Sequence, residues 1–220
     1  MTVNLKQRII TSFFLINLLI FMYLYSYILI ISLIIITLIS WIEFYAIISK
    51  IIIKNTLKDK LLRFIFKSFS LLYLSFVVFI ILLVEVKRPD LKMYIYYSLI
   101  VSILSDIGGL VVGKLFKGRK LTRISPNKTI SGSIGSFIFS IPLVPLFINN
   151  FSNQGFLLLL IITMIISLTS QVGDIMVSLL KRKAKVKDTS DLLPGHGGVL
   201  DRIDGIIFAI PIGFILFYNF

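Results

Sequence analysis

The chain contains no cysteine, which excludes disulfide bonds, thiolate metal sites and thiol nucleophiles. It has a single histidine, His196, so multi-histidine zinc sites and two-imidazole proton relays are excluded as well. Acidic residues are scarce: 10 Asp and Glu stand against 23 Lys and Arg, for a formal net charge of +13. What is abundant is apolar. Of the 220 residues, 57% are hydrophobic. The mean hydropathy is +1.00, beyond the range of a soluble domain. Several runs reach the roughly 20 apolar residues that cross a bilayer core. These features predict an all-α, polytopic transmembrane helical bundle. No signal-peptide cleavage pattern is evident, so the first hydrophobic segment is expected to be retained.

About seven membrane helices are expected, within a range of about six to eight, near 9–25, 27–49, 62–84, 93–113, 130–148, 155–178 and 203–219. Only Tyr25-Ser26-Tyr27 hints at a turn between the first two, so 9–49 reads as either one crossing or two. The cations set the topology. The N-terminus and the loops 50–67, 114–128 and 179–202 carry 2, 6, 6 and 6 Lys or Arg, whereas the opposite side carries only Lys87, Arg88 and Lys92. By the positive-inside rule the first set faces the cytoplasm. The same rule accounts for most of the net charge, so no nucleic-acid partner is expected. The chain is read as one integrated membrane domain, with N-terminal helices in 1–95 and a catalytic region in 96–220 that includes loops 114–128 and 179–202. No internal repeat is visible, which weakens an inverted-repeat transporter reading.

The stretch from Ser178 to Asp204 breaks this apolar pattern. It packs Lys181, Arg182, Lys187, Asp188, Asp201, Arg202 and Asp204 around Pro194-Gly195-His196-Gly197-Gly198. Cations, carboxylates and glycines at a membrane surface suit a metal-bound polyphosphate. Glycine admits close approach, Lys and Arg supply charge, and Asp holds a divalent ion. A plain basic loop explains the lysines but not the glycine run or the paired aspartates.

Two aspartates, Asp106 and Asp174, interrupt otherwise apolar segments. By default such residues face a bundle interior or a water-filled cavity. Ser178 and Arg182 lie at i+4 and i+8 from Asp174 and form one stripe, with Lys181 close by. Asp201 and Asp204 are spaced i, i+3. Asp174, Asp201 and Asp204 are therefore the candidate Mg2+ ligands. Ser125-Pro126-Asn127-Lys128-Thr129 forms a second polar stretch. Pro126 biases Ser125 to an extended conformation, and a helix can begin near Lys128 or Thr129, which places Lys128 beside an anion-binding helix N-terminus. Ser105, Gly109 and Gly113, and likewise Gly132, Ser136 and Ser140, recur every four residues and read as close-packing faces. Pro142 and Pro145 are expected to kink the fifth segment.

The order Ser178, Lys181-Arg182, Lys187-Asp188, Pro194-Gly195-His196-Gly197-Gly198 and Asp201-Arg202-Ile203-Asp204 resembles the phosphatidate cytidylyltransferase (CDP-diacylglycerol synthase) family. Ser125-Pro126-Asn127-Lys128-Thr129, Asp106 with Gly113, and Gly173-Asp174 also resemble it. So does the neighbourhood of Trp41 and Glu43. Ser131 stands where the family has Glu, Val177 where an acid is usual, and Gly109-Leu110 where it has Ala-Tyr.

The resemblance implies transfer of a cytidylyl group from CTP to phosphatidic acid, with Mg2+, in phospholipid biosynthesis at the cytoplasmic face of a bacterial inner membrane. Asp174, Asp201, Asp204, Lys181, Arg182 and Lys128 are then the catalytic candidates. Ser125, Ser178, Lys187, Asp188, His196, Gly197, Gly198, Arg202 and Asp106 are the substrate-binding ones. CTP, phosphatidic acid and membrane lipid are the expected partners, and a homodimer is compatible with the sequence. The rival reading is an ion-coupled transporter that uses Asp106 and Asp174.

Overall fold

The computed structural model describes residues 3–54, 56–122, 125, 128–151 and 155–219. The elements are α1 (Val3–Leu24), α2 (Ser26–Ile51), α3 (Leu57–Lys87), α4 (Lys92–Phe116), α5 (Ile130–Ser140), α6 (Leu143–Phe147), α7 (Phe156–Lys183), α8 (Leu200–Ile203) and α9 (Ile206–Asn219). Among the described residues there is no β-strand, only isolated bridges at Lys120–Thr129 and Leu193–Gly197. The all-α expectation holds. Among the described residues six stretches are long and apolar enough to cross a membrane: Lys6–Leu24, Ser26–Ile51, Leu57–Lys87, Pro89–Phe116, Ile130–Phe151 and Phe156–Lys183. The last expected segment is helical too, but α9 has 14 residues. At 1.5 Å per residue it is about 21 Å long, short of a bilayer core. The segment 9–49 is two helices, broken at Tyr25, whose φ of −128° and ψ of 110° are extended.

The chain divides into two compact units. The first comprises 1–87 and 180–203, the second 88–179 and 204–220. In the first unit α2 packs with α3, α1 and α8. The indole N–H of Trp41 donates to Lys67 O at 3.1 Å, and the Lys67 ammonium lies over the Trp41 and Tyr45 rings at 4.9 and 4.5 Å.

The second unit has an aromatic core. Phe151 and Phe217 stack at 4.7 Å, and Tyr97 meets both edge-on. The small-residue faces expected from sequence do meet. A Cβ on Gly132 would lie 2.8 Å from Gly109 O and 3.4 Å from Gly113 Cα, and one on Gly109 would lie 2.7 Å from Ser136 Oγ. Glycine there lets α4 and α5 approach backbone to backbone. Ser105 departs from that seam and pairs instead with Ser167 at 2.9 Å, beside Ser102–Ser170 at 2.7 Å and Tyr97–Thr163 at 2.6 Å. Pro142, which lacks an N–H, separates α5 from α6, as its ring chemistry predicts.

Candidate active site

In the first unit the segment after α7 folds into a loop whose polar groups are met partly within the loop and partly by α1 and α2. α7 ends where Lys185 takes a left-handed conformation, φ 56°. Lys181 Nζ meets Asp201 Oδ1 at 2.5 Å, with side chains only 12% and 3% exposed. Asp201 Oδ2 accepts from the Thr189 amide at 2.8 Å, the Thr189 hydroxyl at 3.0 Å and the Gly198 amide at 3.0 Å. Burial alone would raise the Asp201 pKa. The Lys181 ammonium and the two amides outweigh it and hold the carboxyl below the ordinary value.

A second carboxylate converges on the same loop from α2. Glu43 Oε1 accepts from Ser190 Oγ at 2.6 Å and Val199 N at 3.0 Å, and Oε2 accepts from Thr189 Oγ1 at 2.8 Å and Leu200 N at 2.8 Å. Sequence reasoning gave Glu43 no role. The signal that marked Asp106 and Asp174, a carboxylate interrupting an apolar run, was present there too.

The loop's tip lies against α1. Arg8 Nε donates to Gly195 O at 3.0 Å, Thr11 Oγ1 to Pro194 O at 3.0 Å, and Ser12 Oγ is 3.3 Å from His196 Nε2. Among the described residues, His196 Nδ1 is buried without a hydrogen-bond partner. Burial, reinforced by the positive charges of Arg202 and Arg8, holds the imidazole below its ordinary pKa. It is therefore neutral at pH 7.

Gly195 and Gly197 adopt φ of 75° and 83°, the left-handed region that favours glycine. The amides of 196 and 197 donate to Leu193 O, that of 198 to Asp201, and those of 199 and 200 to Glu43. A phosphate reaching these amides must displace a protein partner. A Cβ on Gly198 would overlap Thr189 Oγ1 and lie 2.6 Å from each Glu43 oxygen. That glycine makes room for a carboxylate. Arg182, Lys187, Asp188 and Arg202 are exposed.

In the second unit Lys128 Nζ meets Asp174 Oδ2 at 2.5 Å, and Ser178 Oγ lies 3.4 Å from Asp174 Oδ1. The Asp174–Ser178 part of the expected stripe is thus in place. Lys128 is fixed by its backbone: Leu121 N donates to Lys128 O at 2.8 Å, and Ile130 N to Arg119 O at 2.9 Å. Thr129 caps α5 by accepting from Gly132 N at 3.0 Å, and the helix begins at Ile130, the expected start of the fifth segment. Ser125 is buried, and its carbonyl accepts from Lys128 N at 3.1 Å. Pro126 and Asn127 lie outside the described residues. Ser131, at the family's Glu position, accepts from Gly118 N at 3.2 Å and so closes the turn after α4. Asp204 is 6% exposed and its Oδ1 accepts from Gly205 N at 3.0 Å. A Cβ on Gly173 would lie 2.6 Å from Asp204 O, so the backbone of Asp204 packs beside Asp174's neighbour. Asp106 is exposed on α4.

For a divalent ion the three aspartates differ. Among the described residues no group of three or more His, Asp or Glu is placed to hold a metal. Four donors fill both oxygens of Asp201, so it does not fit a ligand role in this arrangement. Asp174 fits better. Its Oδ2 already holds a cation, the Lys128 ammonium, and its Oδ1 has only the long Ser178 contact.

Known proteins share this sequence. Phosphatidate cytidylyltransferase from Staphylococcus haemolyticus (strain JCSC1435) is 45% identical over 128 residues, covering 57% of this chain and 49% of that protein. The protein of the same name from Staphylococcus aureus (strain COL) is 43% identical over 122 residues, covering 54% and 46%. The chain spans about half the length of the curated relatives it matches. The sequence model of the cytidylyltransferase family matches residues 2–220, which takes in both carboxylate–lysine pairs and the glycine loop, and the chain belongs to that family.

Proposed function

We propose that the chain is a membrane-embedded nucleotidyltransferase that moves the cytidylyl group of CTP onto phosphatidic acid, giving CDP-diacylglycerol and pyrophosphate. The observation that carries this reading is the loop 187–202. It is ordered down to its amides and presents exposed Lys187 and Arg202 beside the buried Lys181–Asp201 pair. Support comes from the relatives, which are named phosphatidate cytidylyltransferases.

In this reaction an oxygen of the lipid phosphate attacks the α-phosphorus of CTP, and the bond to pyrophosphate breaks. The lipid phosphate is already ionised at neutral pH, so no strong base is needed. Positioning and charge neutralisation carry the acceleration. Arg182, Lys187 and Arg202 meet the triphosphate and the leaving pyrophosphate. Within its own unit each of Lys128 and Lys181 is held by an aspartate and supplies positive charge that can be shared with phosphate. A neutral His196 orients the loop through Ser12 and relays no proton in the reaction. Magnesium bound with CTP would neutralise phosphate charge, and Asp174 is the residue that would hold it. The abundance of cations in loop 114–128 and in loop 179–202 supports a cytoplasmic side for each by the positive-inside rule, the side where CTP is found. The transporter reading needs Asp174 as a free coupling carboxylate, and Asp174 is ion-paired with Lys128.

The test is purified protein with CTP, magnesium and phosphatidic acid, followed for lipid-linked cytidine and pyrophosphate. Formation of both in equal amounts is expected. Absence of both from folded protein overturns the assignment.

A further inference from the structure

Glu43 is 4% exposed in the C-terminal third of α2, a helix apolar enough to cross a membrane. Among the described residues no Lys or Arg pairs with it. Its four hydrogen bonds all come from one segment, and from both sides of the glycine turn. Thr189 and Ser190 donate before the turn, Val199 and Leu200 after it. The carboxylate therefore closes the base of the loop, while α1 holds the tip through Arg8, Thr11 and Ser12. Four donors directed at one side chain require an acceptor at both oxygens. A carboxylate meets that requirement, whereas an amide turns an N–H2 towards two of the donors. The neighbouring glycine fits the same design, because a Cβ at Gly198 would press on both Glu43 oxygens. Thr189 carries the connection onward. Its one hydroxyl lies 2.8 Å from Glu43 and 3.0 Å from Asp201, and Asp201 fixes Lys181.

We propose that Glu43 is a positioning residue for cytidylyl transfer: it closes the base of the 189–200 loop and, through Thr189, sets Asp201 and Lys181 where the nucleotide phosphates are met. The role rests on the cytidylyl-transfer reading. A purely structural Glu43 would lower the amount of folded protein and leave the remaining molecules with an unchanged KM.

The test compares Glu43→Gln, Ser190→Ala and the unaltered full chain in proteoliposomes. The measurements are steady-state kinetics with CTP and phosphatidic acid, and hydrogen–deuterium exchange. Glu43→Gln should raise the KM for CTP about tenfold and lower kcat. Ser190→Ala, which deletes one donor, should raise KM about threefold. In both, exchange should accelerate across 189–200 and stay unchanged in α4 and α5. An unchanged KM, with rate falling only in step with the folded fraction, overturns the proposal, as does unchanged exchange at 189–200. If Glu43→Gln does not accumulate, Ser190→Ala decides by the same two readouts. If the unaltered chain does not turn over CTP, the cytidylyl-transfer reading fails. The exchange comparison then still decides whether Glu43 holds the loop.

Discussion

Thr189 and Asp201 are joined in two ways: the Thr189 amide donates to Asp201 Oδ2 at 2.8 Å, and the Thr189 hydroxyl, whose one proton is shared with Glu43 Oε2 at 2.8 Å, lies 3.0 Å from the same Asp201 oxygen. The amide bond survives any side-chain change at 189, so the two links are separable. Thr189→Val should cost about 1 kcal/mol, the typical value of one hydrogen bond. Asp201→Asn leaves the Lys181 ammonium buried without its carboxylate, a situation that costs about 3–5 kcal/mol. It should also depress turnover by orders of magnitude. Denaturant unfolding in detergent measures both stability changes, and equal losses in the two variants would refute the ranking.

The pH dependence has a definite sign at two groups. The Asp201 pKa is lowered in the folded protein, below an unfolded value of about 3.9. Its stabilisation is fully present above the unfolded value and lost as pH falls through the folded one. His196 is also lowered, from an unfolded value of about 6.5. The unfolded chain takes up that proton first, so stability declines as pH drops below about 6.5, down to the folded pKa. Melting temperature recorded against pH should show this decline in the unaltered chain and not in His196→Gln.

Gly198→Ala should disrupt the loop although alanine adds one carbon. That carbon would overlap Thr189 Oγ1 and crowd Glu43, neither of which can move without losing its partners. A cost of about 1–3 kcal/mol is expected from overpacking. Circular dichroism should retain the helices while limited proteolysis cuts between 185 and 200. Protection equal to that of the unaltered chain would show that the loop can open space for the methyl group.

Asp174→Asn and Asp204→Asn should each abolish turnover in a folded, membrane-inserted protein, and Lys185→Ala should not. Lys185 is exposed in a left-handed turn, so Lys185→Gly should stabilise by up to about 1 kcal/mol. Initial rates at several magnesium concentrations, with unfolding curves for all four variants, check this set. Damage at Lys185 matching that at the aspartates would mean that the loop acts as a diffuse basic surface.

The helices were legible because their signal is local. A run of apolar residues in α2, α3 or α7 needs no knowledge of its neighbours to demand burial or lipid. The α4–α5 seam was legible for the same reason, since Gly109, Gly113, Gly132 and Ser136 repeat at helical spacing. The residues of the final loop were legible as a cluster, but their pairings were not. Asp201 read as a free ligand, and in the structure it is filled by Lys181, Thr189 and Gly198. Gly198 read as room for phosphate, and it makes room for Glu43. Glu43 itself lacked a visible purpose because its partners lie more than a hundred residues further along the chain, a distance at which no periodicity speaks. The 14-residue length of α9 was hidden by apolar sequence that continues smoothly from Ile203.

That distance also has a consequence for biogenesis. Thr189 follows Glu43 by 146 positions, and Leu200 by 157. At roughly 5–20 residues per second, Glu43 is synthesised about seven to thirty seconds before the first of its four donors exists. During that interval an acidic side chain in a nascent membrane helix must be met by water, lipid headgroups or the insertion machinery. The N-terminal helices are thus held incomplete until the last part of the chain is synthesised, and the final loop completes their folding as well as its own.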